Sequence, residues 1–204
     1  AGGLMAAIKL RGAGVEEVRV FEKENDLGGT WRDNTYPGLI CDVPSHLYRY
    51  SFAPNPDWSR TFSPGSEIYD YVRKVAEDND AEEMMTYGSE VTRLEYTSGH
   101  WRVTTTQGDQ GKFDVVISAV GILQHPVYPD IEGLDSFGGA CFHSARWNHD
   151  VSLDDKRIGI IGTGSTAVQI VGAVIDDVEK LTLFQRTPQW VLAAPNPFYT
   201  DEQK

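Results

Sequence analysis

The sequence predicts an α/β fold built from two Rossmann-like βαβ units, neither complete within its 204 residues. Two observations predict it. First, an apolar run, Ile158–Ile161, leads into the small-residue loop Gly162-Thr163-Gly164-Ser165-Thr166-Ala167, then a helical pattern, then a second apolar run, Leu181–Phe184. Short apolar runs of this kind suit buried parallel strands, and the loop between them has the spacing of a phosphate-binding turn. Second, the same spacing recurs near the N-terminus. Gly3 stands where Ala167 stands and Glu22 stands where Arg186 stands, 19 positions on in each case. A repeated supersecondary unit is the simplest source of such a match.

In the N-terminal copy, Ala1–Leu10 reads as small residues opening a helix, with glycines at Gly12 and Gly14 to stop it. The run Val15–Phe21 reads as the strand that follows, ending at Glu22. The first strand and the first two loop glycines of this copy are expected before Ala1. An acid at the end of the second strand accepts hydrogen bonds from an unphosphorylated ribose, so Glu22 predicts an adenosine such as that of FAD. Gly28-Gly29 then either lets the backbone pass close to a second phosphate or makes an ordinary turn.

The stretch from Tyr36 to Pro64 is rich in aromatics and prolines and reads as an ordered excursion rather than a linker. Within it, Asp42 is a carboxylate among apolar neighbours, either catalytic or the cap of a turn before Pro44. Ser66–Ala76 reads as an amphipathic helix, with Ile68, Tyr71, Val72 and Val75 on one face and Glu67 in the first turn. The acidic segment after it reads as a solvated loop. Glu90–Thr106 alternates like a hairpin around a turn of about four residues, Thr97 to His100. Phe113–Gly121 reads as a further buried strand, and Pro126, Pro129 and Gly133 mark a crossover to the second unit.

In the second unit Gly162 allows the tight turn, Gly164 lets the backbone approach a pyrophosphate, and Ala167 lets the helix pack closely on the strand. The amides of Ser165 and its neighbours at the helix N-terminus face that pyrophosphate. The strand then ends in Gln185-Arg186-Thr187, with no acid at the ribose position. A guanidinium there pairs with a 2′-phosphate, which predicts NADP(H).

Composition narrows the function. The net charge of −12 argues against nucleic acid, which calls for a basic face. No apolar run approaches the length of a membrane span. Five scattered histidines form no ligand cluster, so no metal is expected. Cys41 and Cys141 form no C-x-x-C pair and are read as buried free thiols in a reducing cytoplasm.

The segment Phe137-Gly138-Gly139-Ala140-Cys141-Phe142-His143-Ser144-Ala145-Arg146-Trp147-Asn148 resembles the fingerprint of Baeyer–Villiger monooxygenases, F-x-G-x-x-x-H-x-x-x-W followed by Pro or Asp. Phe137, Gly139, His143 and Trp147 match; Asn148 departs. The resemblance implies an N-terminal fragment of a flavoprotein in which an NADP domain is inserted into an FAD domain. Residues 1–125 would belong to the FAD domain, and 126–204 would hold the fingerprint and the start of the NADP domain. It further implies that Gly3, Glu22, Gly29, Thr30, Trp31, Asp42 and Tyr48 line FAD, and that Val91 contacts its adenine through the backbone. Cys41 and Asp42 would lie toward the nicotinamide, with Asp42 paired to a catalytic arginine beyond Lys204. Gly162 to Ala167, with Arg186 and Thr187, would hold NADP(H). The implied reaction uses NADPH and O₂ to insert an oxygen beside a ketone carbonyl, giving an ester or lactone. Two alternatives remain beside it: a flavin-containing monooxygenase acting on nitrogen or sulfur, and a nucleotide-binding fragment with no turnover of its own.

Overall fold

Helix α1, Gly2–Gly12, forms as expected and places Lys9 and Arg11 in its last turn, where cations suit the carbonyl end. Leu4 and Ala7 are its buried face. A methyl group built on Gly3 would sit 3.6 Å from Val20 and 3.7 Å from Ala119, so a small residue lets the helix lie close against its strand. Of the run Val15–Phe21, only β1, Val20–Phe21, pairs, in parallel with β2, Met85–Thr86. Val15 is exposed. A short helix α2, Thr30–Asp33, follows the paired glycines.

Helix α3 covers Gly65–Asp78, slightly longer than expected, and buries the predicted Ile68, Tyr71, Val72 and Val75 with Ala76. Glu67 accepts bonds from the Ser59 amide and hydroxyl, each at 2.7 Å. The acidic segment differs from a plain solvated loop: it contains a 3-10 turn, Ala81–Met84, whose end residues are buried.

The predicted hairpin is the first two strands of a three-stranded antiparallel sheet: β3 Val91–Thr97, β4 His100–Thr105 and β5 Gly108–Phe113. Thr97 pairs with His100, so the loop is the two residues Ser98 and Gly99, both at positive φ, the geometry that matches strand twist. Phe113–Gly121 is not the buried strand expected. Only Phe113 joins a ladder, and Val115, Ile117 and Val120 are exposed. An apolar run becomes a strand only where a neighbour takes up its N–H and C=O groups, and this run has none.

The second βαβ unit has the expected element order, but its strands are not the buried ones expected, since Ile161, Leu183 and Phe184 are exposed. Strand β6, Arg157–Ile161, leads to α4, Ser165–Val174, and to β7, Lys180–Phe184, parallel to β6 with Ile158 opposite Leu181. Val178 lies beyond the helix but still packs on its core, which is formed by Tyr36, Ile170 and Val174. Trp147 and Leu39 close the same core.

The structure is a computed structural model describing residues 1–204. Its contacts divide the chain into two compact units: Ala1–Arg32 with Tyr69–Gln124, and Asp33–Ile68 with His125–Lys204. The excursion after α2 thus groups with the segment that holds β6, α4 and β7. No helix is long and apolar enough to cross a membrane.

Gly38 shows how tightly that excursion docks. Its φ is +78°, and an added Cβ would fall 2.5 Å from the Gln169 carbonyl oxygen and 2.8 Å from the Ala173 methyl. Gly38→Ala therefore combines left-handed strain with a backbone clash and is expected to lower stability by roughly 2 kcal/mol or more. Urea unfolding measures this; an unshifted midpoint would mean that the excursion does not rest on α4.

Candidate functional site

The second unit holds an open glycine turn and, after its last strand, an exposed cation, Arg186. Gly162, at φ +111°, turns the chain out of β6, and its amide donates to the Phe184 carbonyl at 3.0 Å. Gly164 caps α4 without a side-chain bond, and the helix opens with Val168 N–H donating to Gly164 O at 3.1 Å. The amides of Ser165, Thr166 and Ala167 precede that first bond, so they face outward as donors. A Cβ on Gly162 or Gly164 would project into open space, which leaves room for a phosphate against the backbone. The Thr163 hydroxyl donates to Thr187 O at 3.2 Å and ties the loop to the segment after β7. Beside it lies a recess of about 240 Å³, lined by Thr163, Ala167, Val168, Leu183, Gln185 and Val191. Arg186 and Thr187 are exposed, and Arg186 makes no hydrogen bond or ion pair with the chain. These residues fit a dinucleotide with a 2′-phosphate.

Cys41 and Asp42 form a corner of the same unit. The Cys41 amide donates to Ser63 O at 3.0 Å, and Ile40 bridges Pro64 in antiparallel fashion. Just beyond, the buried Ser45 and Ser63 hydroxyls meet at 2.7 Å. The Cys41 side chain is 2% exposed, and burial pushes its thiol up from the ordinary range. Asp42 is exposed, and its carboxylate accepts no hydrogen bond from the chain, so it does not cap a turn before Pro44. Tyr48, also exposed, closes a turn through its amide, which donates to Pro44 O and Ser45 O.

Cys141 differs from the expectation: it is free, like Cys41, but exposed, because its segment has no strand or helix to cover it. At pH 8 a thiol reagent should modify Cys141 at once and Cys41 roughly 10²-fold more slowly. Equal rates would mean that the Cys41 corner is open.

The first unit carries the other predicted residues. Glu22, half-buried at the end of β1, holds the Glu24 amide at 3.1 Å through one oxygen, with Arg32 Nη1 at 3.6 Å from the same atom. Gly29 faces open space, whereas a Cβ on Gly28 would strike the Tyr69 ring at 2.7 Å. The two glycines thus serve different ends, one exposing backbone and one admitting a side chain. Thr30 and Trp31 start α2, and Val91 opens β3. Sequence reasoning missed the residues that hold this turn. Asp26 accepts from the Leu27 amide at 2.7 Å and the Tyr69 hydroxyl at 2.6 Å, while Arg32 donates to the Asp26 carbonyl. The open backbone at Gly29 and the acceptor at Glu22 fit an adenosine-bearing flavin dinucleotide.

The fingerprint has a structural meaning as well. The Phe137 ring lies over Gly139, where a Cβ would fall 2.7 Å from it. His143 Nδ1 accepts from the Ala145 amide at 3.1 Å, and Trp147 packs edge-on to Phe142 at 5.2 Å.

Comparison with known proteins agrees with this geometry. Residues 3–197 match the family described as FMO-like, flavin-binding monooxygenase-like. A Baeyer-Villiger monooxygenase of Streptomyces coelicolor is 49% identical over 193 residues, which is 94% of this chain and 37% of that protein. Cyclohexanone monooxygenase from Rhodococcus sp. Phi1, solved bound to NADP⁺, superposes with a TM-score of 0.89 at 38% identity, over 99% of this chain and 39% of that one. OTEMO, solved in complex with FAD and NADP, gives a TM-score of 0.90 at 34% identity, over 98% and 40%. The chain thus spans about two fifths of the length of these relatives. Its α/β architecture of Rossmann-type units is theirs, and the chain belongs to the flavin-binding monooxygenase-like family.

Proposed function

We propose that this chain is the dinucleotide-binding portion of an NADPH- and O₂-dependent flavoprotein monooxygenase of the Baeyer–Villiger type, converting a ketone into an ester or lactone. The observation that carries the reading is the partnerless, exposed Arg186 beside the open Gly162–Ala167 loop, in a chain 49% identical to a protein of that name. The loop amides would hold the NADP(H) pyrophosphate, Arg186 its 2′-phosphate, and Thr163 would keep the two in register through Thr187. Glu22, Gly3, Gly29, Thr30, Trp31 and Val91 would hold FAD, with Cys41, Asp42 and Tyr48 lining the site toward the nicotinamide. Bound flavin would supply the redox and oxygen chemistry; the protein orients and shields it.

Asp42 would hold a cationic group, since an exposed carboxylate without a partner is a ready acceptor for an arginine. The free thiols of Cys41 and Cys141 support a reducing compartment, the cytoplasm. Residues 1–125 and 126–204 are proposed as the flavin and NADP portions, with the excursion 33–68 packing into the second compact unit. The test is product analysis by gas chromatography. The protein, carried in a chain of the relatives' length, is given NADPH, O₂ and a simple ketone such as cyclohexanone. An ester or lactone supports the reading; N- or S-oxides with no ester from any ketone would move the protein to the heteroatom-oxidising branch.

A further inference from the structure

We propose that Gln169 is a positioning residue. It seats the Cys41–Asp42 corner on α4, so that Asp42 takes its place from the helix that binds the nicotinamide dinucleotide. The inference rests on the functional reading above for the identity of that dinucleotide, but the docking itself stands on geometry.

Gln169 lies between Val168 and Ile170 and is the one polar residue of α4 beyond its opening Ser165 and Thr166. Its amide engages the backbone of Ile40 from both sides. Nε2 donates to Ile40 O at 3.0 Å, and Oε1 accepts from Ile40 N at 3.4 Å. Oε1 also accepts from the Tyr36 hydroxyl at 3.0 Å. The orientation of the amide follows from these partners, because a flipped group would face two donors with an NH₂ and a carbonyl with an oxygen. Gly38 lets the intervening backbone come within contact of the helix backbone at the same residue. The Tyr36 ring is buried against Ile170 and Val174, and Thr35 adds a bond to His149 at 2.8 Å.

Two links extend this clamp to the site. Burial holds the Tyr36 hydroxyl above its ordinary range, and its partner Gln169 follows Thr166, of the loop proposed to hold phosphate, by three positions on α4. On the other side, Ile40 is followed directly by buried Cys41 and then by exposed, partnerless Asp42. Tyr36, Gln169 and Ile40 therefore form a continuous polar path from α4 to the backbone just before Cys41 and Asp42. The corner's other supports are backbone bonds, Cys41 N to Ser63 O and Gly65 N to Leu39 O, which do not involve α4.

A fold requirement alone does not explain the choice of Gln. Met has similar length and helix propensity, so it would keep α4 intact while leaving the Ile40 amide and carbonyl unpaired. Gln169→Met is thus the informative variant, and Cys41 is a built-in reporter, since its modification rate follows opening of the corner. In the full-length enzyme, read by mass spectrometry at Cys41, we expect Gln169→Met to raise that rate about tenfold, the effect of losing hydrogen bonds at one backbone site. NADP⁺ affinity should stay within about threefold, because the loop amides are untouched. Turnover should fall while the KM for NADPH holds, a split that general destabilisation would not give. Tyr36→Phe removes one bond of the clamp, should show a smaller rise in Cys41 rate, and decides the matter if the Met variant does not fold.

A Cys41 rate unchanged within twofold in the folded variants would overturn the proposal and leave the corner to Ser63 and Gly65 alone. A loss of NADP⁺ affinity as large as the gain in Cys41 rate would also overturn it, because Gln169 would then be supporting the whole helix. Failure of the wild-type enzyme to bind NADP⁺ would instead sink the functional reading, while the Cys41 rates would still decide the docking.

Discussion

Arg186→Ala is expected to raise the KM for NADPH by roughly 10- to 100-fold, the loss of one charge-assisted phosphate contact of about 1.5–3 kcal/mol, and to leave the KM for NADH nearly unchanged. The structure makes this a clean measurement. Arg186 is exposed and bonds to nothing in the chain, so its removal disturbs no packing and breaks no network. The loop that would hold the pyrophosphate is kept in place by other atoms: Gly162 N on Phe184 O, and the Thr163 hydroxyl on Thr187 O. Arg186 is exposed, so an ionic contact there would be screened, and the preference for NADPH is expected to shrink as salt is raised. Equal losses with both cofactors, or none with either, would show that Arg186 is only a solvated strand end.

How much of this was legible in the sequence depends on whether the deciding interactions are local. The β6–α4–β7 unit could be read almost residue by residue, because an apolar run, a Gly-x-Gly turn and a helical period are each contained in a few consecutive positions. The same holds for α3, whose buried face was named in advance. Strand β5 was missed because Gly108-Asp109-Gln110-Gly111 carries no alternation; its place comes from β4, which offers an unpaired edge. Phe113–Gly121 failed in the opposite sense. Its composition is that of a strand, but a strand is a property of a pair.

The site shows the same division. Gly162, Gly164 and Arg186 were legible from spacing: the two glycines lie in the turn between β6 and α4, and Arg186 follows β7 as an exposed side chain. Gln169, Asp26 and Tyr69 were not, since each acts on a residue far along the chain: Gln169 on Ile40, and Tyr69 on Asp26. A lone Gln among valines and isoleucines was the available signal, because a polar side chain on an apolar helix face needs a partner. Cys141 was misjudged for want of any such signal, as burial of a cysteine depends on what covers it.

The second large effect concerns Asp42. Asp42→Ala is expected to cut ester or lactone formation per bound flavin by roughly 10²-fold, the scale seen when one fixed electrostatic group is removed from an active site. Flavin content should barely change, because Glu22 and the Gly28-Gly29 turn belong to the other compact unit and keep their own supports, Arg32, Asp26 and Tyr69. Thermal stability should hold too, since the carboxylate accepts no bond from the chain and removing it strands no donor. An acid so placed, one residue beyond a thiol 2% exposed, is held by its backbone while its charge stays available to a cation brought against it. Asp42→Asn separates charge from shape: it keeps the size and an oxygen acceptor but not the ionic attraction, and should fall nearly as far as Ala. Product per flavin is measured by gas chromatography with flavin absorbance on the same samples. An unchanged yield in Asp42→Ala would make the carboxylate a bystander of the corner, and full recovery in Asp42→Asn would replace the ionic role with a neutral hydrogen bond.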